Sequence, residues 1–333
     1  MKDLSKVQHF VGCDVSKETL DFAIHERGKD YRQFKHIRVE NSIDGFRKMR
    51  KWLREAGIKI TDVVIAMEHT GIYSAALAEW CFGKKIAFVM LHPRDVKNAC
   101  SRGRDKTDKV DSQFIADYVY TMREKLSPSN PEPAIIRKLR QLCNERKIAI
   151  RTRTAYLNII KTLTDKASIK RTEDFIKTLN KQIKTIEKAM VSTVESDPEV
   201  SKNYNLVCSV PGIGMINAVA TIVATSNFTR FQNARQYAKF SCISPMSFTS
   251  GTSVKGGDHV SRVGHGELKA LLTEAAKSTI VHDSGIKAYY NRKREQGKSF
   301  GCVLNAVKFK LICRMFAVVK RQTPYVNTEK FRN

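Results

Sequence analysis

Acidic residues are scarce in this chain: 33 Asp and Glu stand against 59 Lys and Arg in 333 residues, a formal charge of +26. Such an excess repels itself unless a polyanion neutralises part of it, which points to nucleic acid as the partner. An anionic membrane surface would attract the same charge. No long apolar run, signal peptide or lipidation motif is present, however, so the chain is expected to be soluble and cytoplasmic, without a membrane partner. Paired cysteines are also lacking. The eight present (Cys13, Cys81, Cys100, Cys143, Cys208, Cys242, Cys302, Cys313) are scattered singly, mostly in apolar runs, with no CxxC or Cys/His ligand spacing. That pattern argues against a zinc site and reads as reduced core residues. There is no internal repeat or low-complexity tract, and the length leaves room for two or three domains with cores of their own.

What is there falls into three regions, with boundaries expected at 1–126, 127–200 and 201–333. Alternating apolar residues predict strands over His9–Ser16, Thr19–His25 and about Tyr31–Val39. Asn41 or Ser42 would cap a helix to about Ala56, because Phe46, Met49, Trp52 and Leu53 recur at helical spacing beneath a basic outer face. The apolar runs Asp62–Glu68 and Ile86–Leu91, separated by a helix over Tyr73–Phe82, predict buried strands of a mixed sheet. Three hairpin-like strands, helix, strand, helix, strand is the order of the ribonuclease H type of α/β domain, and order alone assigns no activity.

The Ser/Pro-rich joint Ser127–Pro133 breaks helix and strand alike. Beyond it, Ile135, Leu139, Leu142, Ala149, Tyr156, Ile160 and Leu163 fall on a heptad frame, with Arg146 and Arg153 at two core positions; Ile176, Leu179, Ile183, Ile186 and Met190 continue it. An antiparallel helical hairpin or coiled coil fits. Its faces carry Arg137, Lys138, Arg140, Lys147, Arg151, Lys161, Lys181 and Lys184, suited to a phosphate backbone or simply to water. From Leu206 the chain reads as a compact, mostly helical domain ending in a helix over about Cys302–Arg321. Within it, Val210-Pro211-Gly212-Ile213-Gly214 before the small apolar run Ala218–Ala224 is similar to a helix-hairpin-helix. Gly212 and Gly214 would let phosphates approach backbone N–H groups; a tight turn between packed helices is the alternative.

The scarce acids are placed with purpose. Asp14 and Glu68 each close an apolar strand, which puts two carboxylates at one rim of a sheet. In KTDKVDSQFIADY, Asp108 and Asp111 are three apart and share a helix face if the helix begins near Thr107. Asp105 precedes that start and ranks below them. Four hard oxygen donors suit divalent magnesium, and two such ions about 4 Å apart can activate an attacking oxygen and stabilise a leaving one on phosphorus. Arg102, Arg104, Lys106 and Lys109 surround the Asp pair with cations that would contact nucleic acid.

The segments GCDVSKETLDFAI, AMEHTGIYS, HPRDVKNACSRGRDKTDKVDSQFIADY and VPGIGMINAVATIVA, in this order, resemble the DEDD transposases of insertion sequences, also called bridge recombinases. The resemblance implies an α/β plus α architecture: a RuvC-like ribonuclease H domain, a central coiled coil, and a C-terminal transposase domain. It makes Asp14, Glu68, Asp108 and Asp111 the metal-binding and catalytic acids, with Mg2+ as cofactor and Mn2+ as a substitute. In ISPMSFTSGTSVKGGDHVSRVGHGELKALLTEAA it makes Ser250, before Gly251, the nucleophile, with Ser247, Thr249 and Ser253 close by. Where the family often has Ser-Lys and Leu-Arg, this chain has Ser261-Arg262 and Leu268-Lys269, so Arg262 and Lys269 become phosphate contacts. A phosphoserine link would conserve the energy of the backbone bond for rejoining. The resemblance further implies donor and target DNA, a structured noncoding guide RNA that reads them by base pairing, dimers that assemble into a tetramer, and action at the nucleoid. Two other readings remain at this point: a Holliday-junction-type nuclease using water, and a noncatalytic nucleic-acid-binding protein.

Overall fold

A computed structural model describes residues 4–28, 34–69, 71–100, 107–250, 254–260 and 264–327. The chain divides into two compact units, Met1–Glu132 and Pro133–Asn333.

The first unit is built on a five-stranded sheet of order β3-β2-β1-β4-β5. Strands β1 (His9–Val15), β2 (Thr19–Glu26) and β3 (Lys35–Glu40) form an antiparallel meander, while β4 (Val63–Glu68) and β5 (Ala87–Leu91) run parallel to β1. This is the mixed sheet of a ribonuclease H-type domain. Helix α1 (Ile43–Glu55), whose first turn is capped by the Ser42 hydroxyl accepting from Gly45 N–H, and helix α2 (Ile72–Gly83) supply the crossovers. They cover one sheet face, where Cys13, Phe22, Ile65, Met67, Phe46, Met49 and Leu77 are buried together. The opposite face packs Phe10, Val64, Ala66 and Val89 against Ile115 and Val119 of helix α4 (Asp108–Thr121). Because strand side chains alternate, Gly12 and Asp14 share this second face with Phe10. Helix α3 (Pro93–Cys100) was not foreseen, since its polar first turn carries no helical apolar stripe.

The second unit opens with the long helices α5 (Ala134–Ile159) and α6 (Lys166–Glu195). They run antiparallel: Arg146 pairs with Glu187 at 2.7 Å, Arg153 donates to Asn180 at 3.2 Å, and Tyr156 packs on Phe175. The two arginines at core positions of the heptad frame thus serve as cross-helix polar contacts. Three of the basic residues assigned to the outer faces make contacts within the unit. Arg140 donates to the carbonyl of Val223, and Lys147 and Arg151 pair with Glu267.

Helices α7 (Pro198–Cys208), α8 (Met215–Thr225), α9 (Ala234–Phe240), α10 (Gly266–His282) and α11 (Ser284–Glu295) pack around α12 (Phe300–Arg321). Its Val307, Leu311, Met315 and Val318 form the floor of the core. Between α9 and α10, β6 (Pro245–Ser250) and β7 (Val254–Val260) form an antiparallel hairpin, which makes this mostly helical unit a mixed one. Met246 and Phe248 alternate with Ser247 and Thr249, the two-residue period of a strand. Among the described residues no helix is long and apolar enough to cross a membrane.

Candidate active site

Parallel pairing of β1 with β4 brings the two strand-closing acids to one edge, with Cys13 opposite Met67 and Asp14 and Glu68 one residue further along. Helix α4 reaches the same edge because residue 12 is glycine. A Cβ there would overlap the Ser112 carbonyl oxygen and the Ala116 amide nitrogen, so the helix backbone rests directly on β1. The Thr107 hydroxyl caps α4 by accepting from Val110 N–H, and Asp108 and Asp111 fall in the first turn. The favourable end of the helix dipole accommodates them there.

Asp14 and Glu68 both feel neighbouring acids. Burial first, then the charges of Asp108, Asp111, Asp21 and Glu68, push the Asp14 carboxyl up to about 6 from its ordinary 3.8. Burial and Asp111 raise the Glu68 carboxyl as well, against a lowering by His92. Concentrated negative charge on hard oxygens is the donor set of a divalent cation. Among the described residues no three acids, histidines or cysteines already stand at metal-ligand spacing. Asp108 is instead bonded to Arg38, Nη2 to Oδ2 at 2.7 Å. The oxygen donors are of the kind a divalent ion takes, and holding one would require Asp108 to exchange Arg38 for the ion.

Sequence reasoning missed the support behind this edge. Asp21 lies on β2 opposite Asp14 and on the same face; it is 2 % exposed. It accepts from Arg38 Nε at 2.9 and 3.1 Å and contacts His36 Nε2 at 2.8 Å. Arg38 is the cross-strand neighbour of Asp21 on β3, so one guanidinium joins a buried carboxylate to an acid of the cluster. An acid inside the apolar strand TLDFAIHE was the available signal. Arg38→Ala is expected to lower the thermal midpoint clearly more than Lys177→Ala, which removes only the exposed pair with Asp174. Arg38→Lys should recover less than half of the loss, because an ammonium lacks the fork that spans two carboxylates. Equal midpoints for the alanine variants would refute the coupling.

Other sequence-assigned residues are dispersed. Lys109 is exposed on α4. Gly212 adopts φ +83°, and a Cβ there would collide with Thr279 of α10, whose hydroxyl lies 3.0 Å from the carbonyl of Pro211. Gly214 begins α8 with open space around it. Lys269 is half-buried on α10; burial, and secondly the Lys269 charge, lower the pKa of Lys308. Ser250 closes β6 opposite Val254. Arg102, Arg104, Lys106 and Arg262 lie outside the described residues.

The sheet order and the acids at its carboxyl edge define a ribonuclease H-type domain. A transposase model of the DEDD IS110 type matches residues 11–169, and one described as transposase of the IS116/IS110/IS902 family matches residues 204–291. The chain belongs to the IS110 family of transposases. Among its relatives, the pilin gene-inverting protein of Moraxella bovis is 25% identical over 328 residues, covering 95% of this chain and 97% of that protein. Its counterpart in Moraxella lacunata matches with the same identity and coverage. An uncharacterized 43.6 kDa protein of insertion element IS110 from Streptomyces coelicolor is 29% identical over 120 residues, 36% of this chain and 29% of its own. Among solved structures, the T. thermophilus RuvC chain in complex with a Holliday junction substrate matches at 12% identity and TM-score 0.26, covering 37% of this chain and 99% of its own.

Proposed function

We propose that this transposase cuts and rejoins DNA strands through a covalent phosphoserine at Ser250, with divalent magnesium held by Asp14, Glu68, Asp108 and Asp111. The observation that carries this reading is the gathering of acids at one sheet edge, where burial first, and then the charges of the neighbouring acids, push Asp14 up to about 6. Magnesium, when bound, supplies the positive charge that stabilises oxygens on the reacting phosphorus.

The chain's own groups account for the rest. The Ser250 oxygen forms a bond to phosphorus as a backbone P–O bond breaks; the serine proton departs and the leaving deoxyribose oxygen gains one. Rejoining is the reverse exchange at a new end, so no external energy source is needed. The related Moraxella proteins are named for inverting a pilin gene. Inversion requires strands to be joined as well as cut, which favours the phosphoserine route over hydrolysis.

A structured noncoding RNA would choose the DNA by base pairing, leaving the protein to grip phosphates with its +26 charge. Several copies would act together. Ile148, Leu157, Ile159 and Phe175 are exposed along α5 and α6 and offer apolar surface for helix pairing.

The test is to incubate wild-type protein with Mg2+, element DNA and RNA transcribed from the element's flanks, then resolve the mixture under denaturing conditions. A protein–DNA adduct should form, vanish with EDTA, and vanish in Ser250→Ala. Mass spectrometry of the trapped peptide distinguishes Ser250 from Ser247 and Ser253. Hydrolytic nicks that persist in Ser250→Ala, with no adduct from the wild type, would replace this mechanism by attack of water.

A further inference from the structure

Helix α1 carries Arg47, Arg50, Lys51 and Arg54 at positions i, i+3, i+4 and i+7, which is one face of a helix. All four are exposed. With Lys59, before β4, and Lys84, after α2, they line an open cavity of about 980 Å³ that has no Asp or Glu in its wall. Arg47 pairs with Asp44, and Lys51 approaches Glu55. Arg50, Arg54, Lys59 and Lys84 form no ion pair among the described residues, so four uncompensated charges surround one concavity. Repulsion of that kind is relieved by a polyanion. The wall also holds Trp80, half-buried and packed on Phe46 with ring centroids 5.7 Å apart. Cations along a groove beside an aromatic ring are the elements that hold single-stranded nucleic acid, phosphates on the former and a base on the latter.

The place matters as much as the composition. The groove lies beside Ile60 and Thr61, just before β4 begins at Val63, whereas Glu68 closes that strand. Five steps of roughly 3.3 Å lead from Val63 to Glu68, about 17 Å in all. Nucleic acid in the groove is therefore not held at the reacting phosphorus.

We propose that the groove between α1 and α2 is a second nucleic-acid site, which grips an unpaired strand through its phosphates and one base on Trp80, away from the carboxylate edge. This rests on the reading that the protein handles nucleic acid. Unpaired RNA and unpaired DNA share the chemistry, and the experiment separates them.

The chain has only two tryptophans, so Trp52→Phe leaves Trp80 as the sole reporter. Fluorescein-labelled oligo(U) and oligo(dT) are titrated into the full-length variant, following label anisotropy and tryptophan emission together. Quenching should track binding, and whichever oligomer quenches at lower concentration identifies the preferred strand. In the otherwise wild-type protein, Arg50→Ala/Arg54→Ala/Lys84→Ala should weaken binding about tenfold or more and flatten the dependence of log affinity on log salt by about two. Lys177→Ala/Lys181→Ala/Lys184→Ala removes the same charge from α6 and should do less. Binding that leaves Trp80 emission unchanged, or equal losses in the two triple variants, overturns the groove while leaving the recombinase reading intact. No binding of any oligomer by wild-type protein would overturn both.

Discussion

Asp14→Asn is expected to abolish strand cleavage, by on the order of 10³-fold or more, while making the metal-free protein harder to unfold. Both effects have one cause. Asp14 is held among like charges at a partly buried edge, and its carboxyl is raised to about 6. Below its ordinary value of 3.8 the group is protonated whether the chain is folded or not. As pH rises toward about 6, the unfolded chain gives up this proton first, so the folded state progressively loses stability. Above that the cost is constant. Asparagine never ionises, so its advantage should be complete at pH 8 and absent below pH 4. Thermal unfolding in EDTA at the two pH values measures it, and added Mg2+ should narrow the gap by binding the wild type more tightly. A variant that still cleaves DNA, or that gains nothing at pH 8, would remove Asp14 from the centre of the cluster.

Gly12→Ala should be nearly as damaging, although residue 12 carries no functional group. Its Cβ would overlap backbone atoms of Ser112 and Ala116, and backbone cannot rotate away as a side chain can. Overpacking costs about 1–3 kcal/mol where neighbours relax, and more where a helix must lift. Any lift of α4 carries Asp108 and Asp111 with it, since both ride on its first turn. The variant should therefore unfold at lower urea and lose recombination together, and the Asp14 carboxyl, titrated by NMR, should fall back toward its ordinary range. Gly83→Ala is the control: a Cβ there meets nothing within 4 Å, and stability should hold or rise slightly. Wild-type stability and activity in Gly12→Ala would mean that α4 does not rest on β1.

Much of this site was legible because its signals are local. An apolar strand with an acid at or next to its last position, Asp14 in residues 9–15 and Glu68 in residues 63–68, announces both the strand and the exceptional carboxylate. Thr107 followed by Asp108 and Asp111 marks a helix start by capping chemistry alone. The β6–β7 hairpin was obscured by its serines and glycines, whose turn preference masked a short two-residue period. Helix α3 has only eight residues, too few for the spacing of Val96, Ala99 and Cys100 to stand out along the chain.

The sequence by itself determined the charge, the order of the five strands and two crossover helices of the first unit, and which four acids are candidates for its edge, because these depend on residue type and spacing along the chain. Only the tertiary structure decided what each acid faces. Register places Asp21 beside Asp14, a missing Cβ at residue 12 admits α4, and Arg38, held by Asp21, reaches Asp108 across 70 positions of sequence. It likewise turned basic residues from three chain segments into one groove around Trp80. Contacts of that kind are set by how layers stack, and no local pattern encodes the distance between residues that folding alone brings together.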